Sequence, residues 1–290
     1  FMLCSFFSFS AIYSWKGQGT DYQKSSNWLP DRNQRKHSDT LLFSKKSIVH
    51  NFVSDTIALA IIQNEISISA NQKVGWTFLK GINIYKNAVL RLEGSYAIKL
   101  QVEKSASAKI QGIIIFDGTK DLKHKFLGKR AKSIVFDSLS VCEIHNLNGN
   151  IFGSSGTQNV VLFKNGSKYC SKDGGNPFAL TAPKSKVIFE KKSIYLHEQG
   201  ISLSFAGRTY GKLIIDNNSV ININFGSELK TNIHHLILKN GEIKIETSAN
   251  EKALNFDVKQ LEISKNASLL YNPTSLSTFE LSSTIFPKNC

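Results

Sequence analysis

The stretch Val161-Leu162-Phe163-Lys164-Asn165-Gly166-Ser167 decides the fold, because its pattern recurs along the chain. The unit is a short apolar strand, a turn pair, a serine or a substitute, and then more apolar residues. Before it stands Ile134-Val135-Phe136 to Ser140, and after it Val187-Ile188-Phe189 to Ser193. Further copies are Leu213-Ile214-Ile215 to Ser219, Leu236-Ile237-Leu238 to Glu242, and Leu261-Glu262-Ile263 to Ser268. The anchors Ser140, Ser167, Ser193, Ser219, Glu242 and Ser268 are 27, 26, 26, 23 and 26 residues apart. Upstream, Ile82-Asn83-Ile84 to Ala88 is a weaker copy. The 52 residues from Ala88 to Ser140 leave room for one degenerate copy between them. Turn pairs such as Asn165-Gly166, Asn217-Asn218 and Asn240-Gly241 supply residues that accept the positive φ of a sharp bend. Lys191-Lys192 departs from that chemistry.

A repeat of this length signals a solenoid, since a propeller blade needs about 40 or more residues for its four strands. A rung of two or three short strands, stacked edge-on about 4.8 Å above the last, satisfies its strand backbone within the stack. The remaining chain agrees. Runs such as Ile57-Ala58-Leu59-Ala60-Ile61-Ile62 and Ile113-Ile114-Ile115-Phe116 are punctuated by Asn, Gly and Ser, and no stretch holds a helical period with caps. The expected fold is therefore all-β: a right-handed parallel β-helix (a β-solenoid of pectin-lyase-like type) with about 23–27 residues per repeat, spanning 47–290. Alternate residues should face inward, with Phe136, Phe163 and Phe189 in one interior column. The rival reading takes Asn165-Gly166 and Asn240-Gly241 as hairpin turns of an antiparallel sandwich. A sandwich has no need of regular spacing.

Outward from the repeat, residues 15–46 read as an N-terminal cap. Trp15-Lys16-Gly17, Asn27-Trp28-Leu29-Pro30 and the strand-like Asp39-Thr40-Leu41-Leu42-Phe43 frame a charged run, Asp31 to Ser38, that suits an exposed loop. An uncapped solenoid exposes apolar surface and unpaired strand edges, which tryptophans and an apolar strand can cover. The alternative is an aromatic sugar-binding platform at Trp15 and Trp28. Residues 1–14 read as a truncated export signal, apolar from Phe1 to Phe9 with small residues Ser8, Ser10 and Ala11 for cleavage. No run of 18 apolar residues occurs, so no membrane span is expected.

The chain carries 36 basic and 22 acidic residues, a net charge of +14 and a pI near 9.5. Such a field favours polyanions such as an acidic polysaccharide, nucleic acid or an anionic cell surface; the alternative is that Lys is simply scattered over solvated strand faces. The densest basic run, Lys120 to Lys132, is spread through a loop, and nothing marks a specific nucleic-acid partner. Four cysteines make no disulfide framework in a chain this long. Cys4 lies in the leader, Cys290 is the last residue, and Cys142 and Cys170 read as buried thiols. No ligand spacing implies a metal, and His234 and His235, adjacent in a strand, should point to opposite faces.

The opening just quoted resembles the repeat-bearing region of large secreted proteins of Bacteroidota exported by the type IX system. Later landmarks carry the resemblance further: Asn150-Ile151-Phe152-Gly153, Gly174-Gly175-Asn176-Pro177-Phe178 with Ala182-Pro183, and Ser204-Phe205-Ala206-Gly207-Arg208-Thr209-Tyr210. The resemblance implies a secreted or cell-surface β-helical protein with no established chemistry. Tyr22 stands where that family usually shows a second Trp, and no C-terminal sorting domain is recognisable before Cys290.

Catalysis by a solenoid needs two or three carboxylates on neighbouring rungs of one face. Glu190 and Asp216 come nearest, at equivalent repeat positions. The same column reads Asp137, Lys164, Glu190, Asp216 and Lys239, and its mixed signs suggest a structural ion-pair ladder. Arg208 sits in a turn and is expected to be solvated or to clamp an anion. No nucleophile elbow, phosphate loop, dinucleotide fingerprint or zinc-protease motif occurs, so neither catalytic residues nor a cofactor are assigned. The sequence thus points to an exported structural or adhesive surface module. A carbohydrate-binding or carbohydrate-cleaving β-helix acting on an acidic polysaccharide is the alternative.

Overall fold

The computed structural model describes residues 10–119, 123–147, 149–199, 203–223, 227–247, 254–273 and 278–285. Residues 1–9 of the expected leader, Lys120 of the basic run, and Cys290 lie outside them. The chain is a β-solenoid of about 10 turns with about 24 residues per turn, 56% strand and without α-helix among the described residues. Its strands form two long ladders. One runs from Ile12–Trp15 through Thr40–Phe43, Asp55–Ile62, Val74–Ile84, Ser107–Ile110, Ile134–Phe136 and Val161–Phe163 to Val187–Phe189. The other starts at Ser47–Val49 and climbs through Val141–His145, Lys168–Ser171, Ile194–His197, Thr209–Ile223 and Ser227–Thr247. The pairing is parallel throughout these ladders; only the cap strand Trp28–Leu29 runs antiparallel, against Ile12–Trp15. The sandwich reading is thereby excluded. Ala108–Ile110, paired with Ile82–Ile84 below and Ile134–Phe136 above, is the degenerate copy that the spacing required.

The core follows from the alternation. Phe43, Ile62, Ile84, Ile110, Phe136, Phe163 and Phe189 stack in register as one inward column. The rings of Phe136 and Phe163 lie 4.4 Å apart at 7°, and those of Phe163 and Phe189 4.9 Å apart at 16°. The recurring serine closes each corner between the ladders. Ser140, Ser167 and Ser193 are fully buried, and each hydroxyl donates to the carbonyl three residues back, at 2.6–2.7 Å. The backbone N–H of each bonds the same carbonyl. Ala88 keeps only that backbone bond, to Tyr85.

One expectation fails. Leu213–Ile215 does not continue the Val187–Phe189 column; Leu213 pairs with Tyr195 and Ile215 with His197, on the second ladder. The cause is Gly211. Here the four-residue corner Glu190-Lys191-Lys192-Ser193 of the rung below is cut to a single residue. A Cβ on Gly211 would lie 2.2 Å from the Glu190 carbonyl and 2.6 Å from that of Ser193, so only glycine fits. Strand then runs straight on from Thr209 to Ile215, ahead of the register shift at Asp216, and Tyr210 takes the place above Phe189 with its ring 6.3 Å away. The strand–turn–strand pattern reappears one face later, which keeps the interval while shifting the phase. Gly112 works the same way: its Cβ would meet the Ala88 carbonyl at 2.2 Å and the Tyr85 carbonyl at 2.4 Å.

Two contrasts test this packing by chemical denaturation. Phe163→Ala should cost about 3–5 kcal/mol, since it opens the aromatic stack, while Lys164→Ala, on an exposed pair, should cost less than about 1 kcal/mol. Ser167→Ala should cost about 1 kcal/mol by deleting a buried hydrogen bond. Ser219→Ala should stay below about 0.5 kcal/mol, because Ser219 is exposed and closes no such corner. Equal losses for the two serines would contradict the phase shift.

Candidate functional site

The acidic and basic column singled out in the sequence lies on the corner between the two ladders, and there it is split. Asp137 accepts from Lys164 Nζ at 2.6 Å, with Lys109 Nζ 3.9 Å away on the rung below. Glu190 Oε2 accepts the Asn165 N–H at 2.8 Å. Asp216 belongs to a later corner, where Asn240 Nδ2 donates to it at 2.6 Å and Lys239 stands 3.6 Å away. Glu190 and Asp216 therefore occupy different columns, and the phase shift at Gly211 is the reason. What exists is two ion-pair ladders.

Beside the first ladder runs a groove of about 530 Å³ lined by Lys86, Gln111, Asp137, Leu139, Lys164 and Glu190. It follows from the short corner: Gln111-Gly112 is two residues long between neighbours of four, Tyr85–Ala88 and Asp137–Ser140. Its floor is recessed, and Leu139, 74% exposed, stands on its wall.

A second cluster was missed in the sequence. On the outward face of the second ladder, Arg91 Nη1 contacts Asp117 at 2.7 Å, His145 Nε2 lies 3.0 Å from Glu143, and Lys172 Nζ lies 3.1 Å from the same carboxylate. His145 Nδ1 is 3.9 Å from Asp117. Burial pushes the Glu143 carboxyl up, but hydrogen bonds from His145 and Lys172 outweigh it and hold the group below its ordinary range. A carboxylate held ionised by such donors is a poor proton donor. The signal was there to read: Asp117, Glu143 and His145 take alternate positions on Ile113–Asp117 and Val141–His145, strands whose registers match, with Arg91 on Val89–Glu93 below and Lys172 just past Lys168–Ser171 above.

The remaining candidates turn out to be structural. Trp15 and Trp28 are each 1% exposed, with rings 4.9 Å apart edge to face, so they cap the core and offer no sugar platform. Strand Ile12–Trp15 carries the cap into the stretch expected as leader. Arg32, expected in an exposed loop, is buried: Nη1 reaches Asp55 at 2.8 Å, and Nε and Nη2 both reach Asp39 at 2.9 Å. Tyr22 donates to Asp55 at 2.7 Å and packs against Trp28 and Phe52. Arg208 is neither solvated nor an anion clamp. It donates to the carbonyls of Lys184 and Leu180 at 2.6 and 2.5 Å and lies over the Phe178 ring, fastening the loop around Pro183 to the core.

Cys142 and Cys170 are free buried thiols, and burial pushes Cys170 up to about 12. Among the described residues no group of three His, Cys, Asp or Glu could hold a metal. Among the described residues no helix is long and apolar enough to cross a membrane.

His124 carries a testable consequence. It is 1% exposed, its Nδ1 accepts the Ile98 N–H at 3.0 Å, and Nε2 donates to the Asp117 carbonyl at 3.1 Å. Both bonds can persist only in the neutral ring. Burial holds its pKa below the ordinary 6.5. The unfolded chain thus binds this proton first, and the stability that His124 contributes above about pH 6.5 is lost as pH falls through the lower folded value. Thermal melts from pH 8 to 5 should show this loss, and His124→Asn, which keeps an acceptor without the titration, should lessen it. An unchanged pH profile in that variant would refute the assignment.

No family model matches the chain, and no curated protein or solved structure matches it, so its site is read from its own geometry.

Proposed function

We propose that the chain is an exported structural or adhesive surface module, a solenoid that spaces or displays other parts and carries out no chemistry of its own. The observation that carries this reading is the use made of its carboxylates. Asp137, Asp117, Glu143, Asp216 and Asp257 each face a cation on a neighbouring rung, at 2.6–3.6 Å. A hydrolase or lyase keeps an acid and a base free and convergent; here these groups tie rung to rung. Ten turns at about 4.8 Å make a stiff element about 48 Å long. Export and a surface location are supported by the apolar leader and by the resemblance to secreted β-helical proteins.

The rival reading, cleavage of an acidic polysaccharide, is favoured by the net charge of +14 and by the groove that holds Asp137 and Glu190. One assay separates them. Incubation with pectin-like, alginate-like and glycosaminoglycan substrates, with and without calcium, should release no unsaturated or reducing ends. Products that vanish in Glu190→Gln or Asp137→Asn would overturn the non-catalytic reading.

A further inference from the structure

The fold gathers basic residues that the sequence scatters. Lys168, Ile194, Lys212 and His235 stack in register at one outward position of the second ladder. Lys191 and Lys192 form the exposed turn just before Ile194, and His234 and Lys259 follow the paired residues Ile233 and Val258 on later rungs. The result is a basic stripe across five rungs, about 20 Å long at the rung spacing. Among the described residues, Lys168, Lys191, Lys192 and Lys212 pair with no carboxylate within 4.0 Å.

The acids nearby are engaged elsewhere. Glu190 holds the Asn165 N–H, Asp257 is bound by Lys259 at 2.7 Å and Lys230 at 3.4 Å, and Glu262 lies 3.6 Å from His235. Burial first, and then Lys191 and Lys259, push His234 below its ordinary pKa; burial and Lys212 do the same to His235. Positive potential therefore converges on this corner. By contrast, the run from Lys123 to Lys132 is dispersed: Lys125 donates to the Asn150 carbonyl and Lys129 pairs with Glu103.

We infer that this corner is an anion-binding stripe for an extended acidic polysaccharide, whose carboxylate or sulfate groups lie along Lys168, Lys191, Lys192 and Lys212. The inference rests on the adhesive form of the proposed function and gives it a surface. Beside the lysines, the partly exposed Leu196 and Ile214 stand in register on the outward face, suited to the apolar faces of sugar rings. The stripe carries neither arginine nor an exposed aromatic ring, the groups on which single-stranded nucleic acid stacks.

The test compares two variants of equal charge: Lys168, Lys191, Lys192 and Lys212 all changed to Gln, and the exposed Lys24, Lys73, Lys80 and Lys104 all changed to Gln. Circular dichroism confirms that both fold. Binding to heparin and to polygalacturonate is measured at low salt and above about 0.15 M, where screening shortens the reach of charge to about 8 Å. The stripe variant should bind about tenfold more weakly or worse, and the control within about twofold of the unaltered chain. The two polymers tell sulfate from carboxylate. Equal losses in both variants, no binding by the unaltered chain, or tighter binding to single-stranded DNA would each overturn the stripe. Those results leave the non-catalytic reading to the product assay, so the two can fail separately.

Discussion

In a parallel solenoid the nearest neighbours of a side chain are those one rung above and one below, at the hydrogen-bonding distance between strands. Every position is therefore judged by its column. An apolar residue gains most when the column is apolar, which is why Phe43, Ile62, Ile84, Ile110, Phe136, Phe163 and Phe189 line up without a polar interruption. A charge is tolerated when the column alternates in sign, as in Lys109, Asp137 and Lys164. The gathering of Lys168, Lys191, Lys192 and Lys212 at one corner without paired carboxylates runs against that economy, since like charges at short range repel.

The cap obeys a different rule. At the first described rung the inward face is filled by Trp15, Trp28 and Tyr22 packed edge to face. A buried guanidinium then holds this irregular segment to the regular stack, because Asp39 precedes the strand Thr40–Phe43 and Asp55 opens Asp55–Ile62. Breaking a buried charge pair by removing one partner strands the other in a low-dielectric interior. That penalty, more than the attraction itself, makes the docking of the cap specific.

Much of this was readable before any coordinates. The repeat, the inward phenylalanines and the room for one more copy between Ala88 and Ser140 all follow from local alternation and from intervals. The serine anchors were visible as a regularity, although not their hydroxyl bonds to the corner carbonyls. The slip at Gly211 was not readable, because a glycine that shortens a corner looks like one that makes a turn, and the strand–turn–strand pattern resumed at the expected interval. Arg32 and Arg208 were misplaced for a related reason. Their burial depends on partners 7 to 28 residues away, which no local pattern reveals. The basic stripe escaped because its lysines become neighbours only through register.

Gly211 also divides the chain into two lengths that are not interchangeable. In the rung just below it, a corner of four residues separates the two ladders; at Gly211 the same path is one continuous strand. A rung duplicated or deleted wholly on one side leaves every downstream column in phase. An exchange with one breakpoint on each side would turn the downstream surface by a whole face and carry its charges to another side of the molecule. Lengthening by copying is thus open to each half separately, and the glycine is the seam across which the two halves cannot be shuffled.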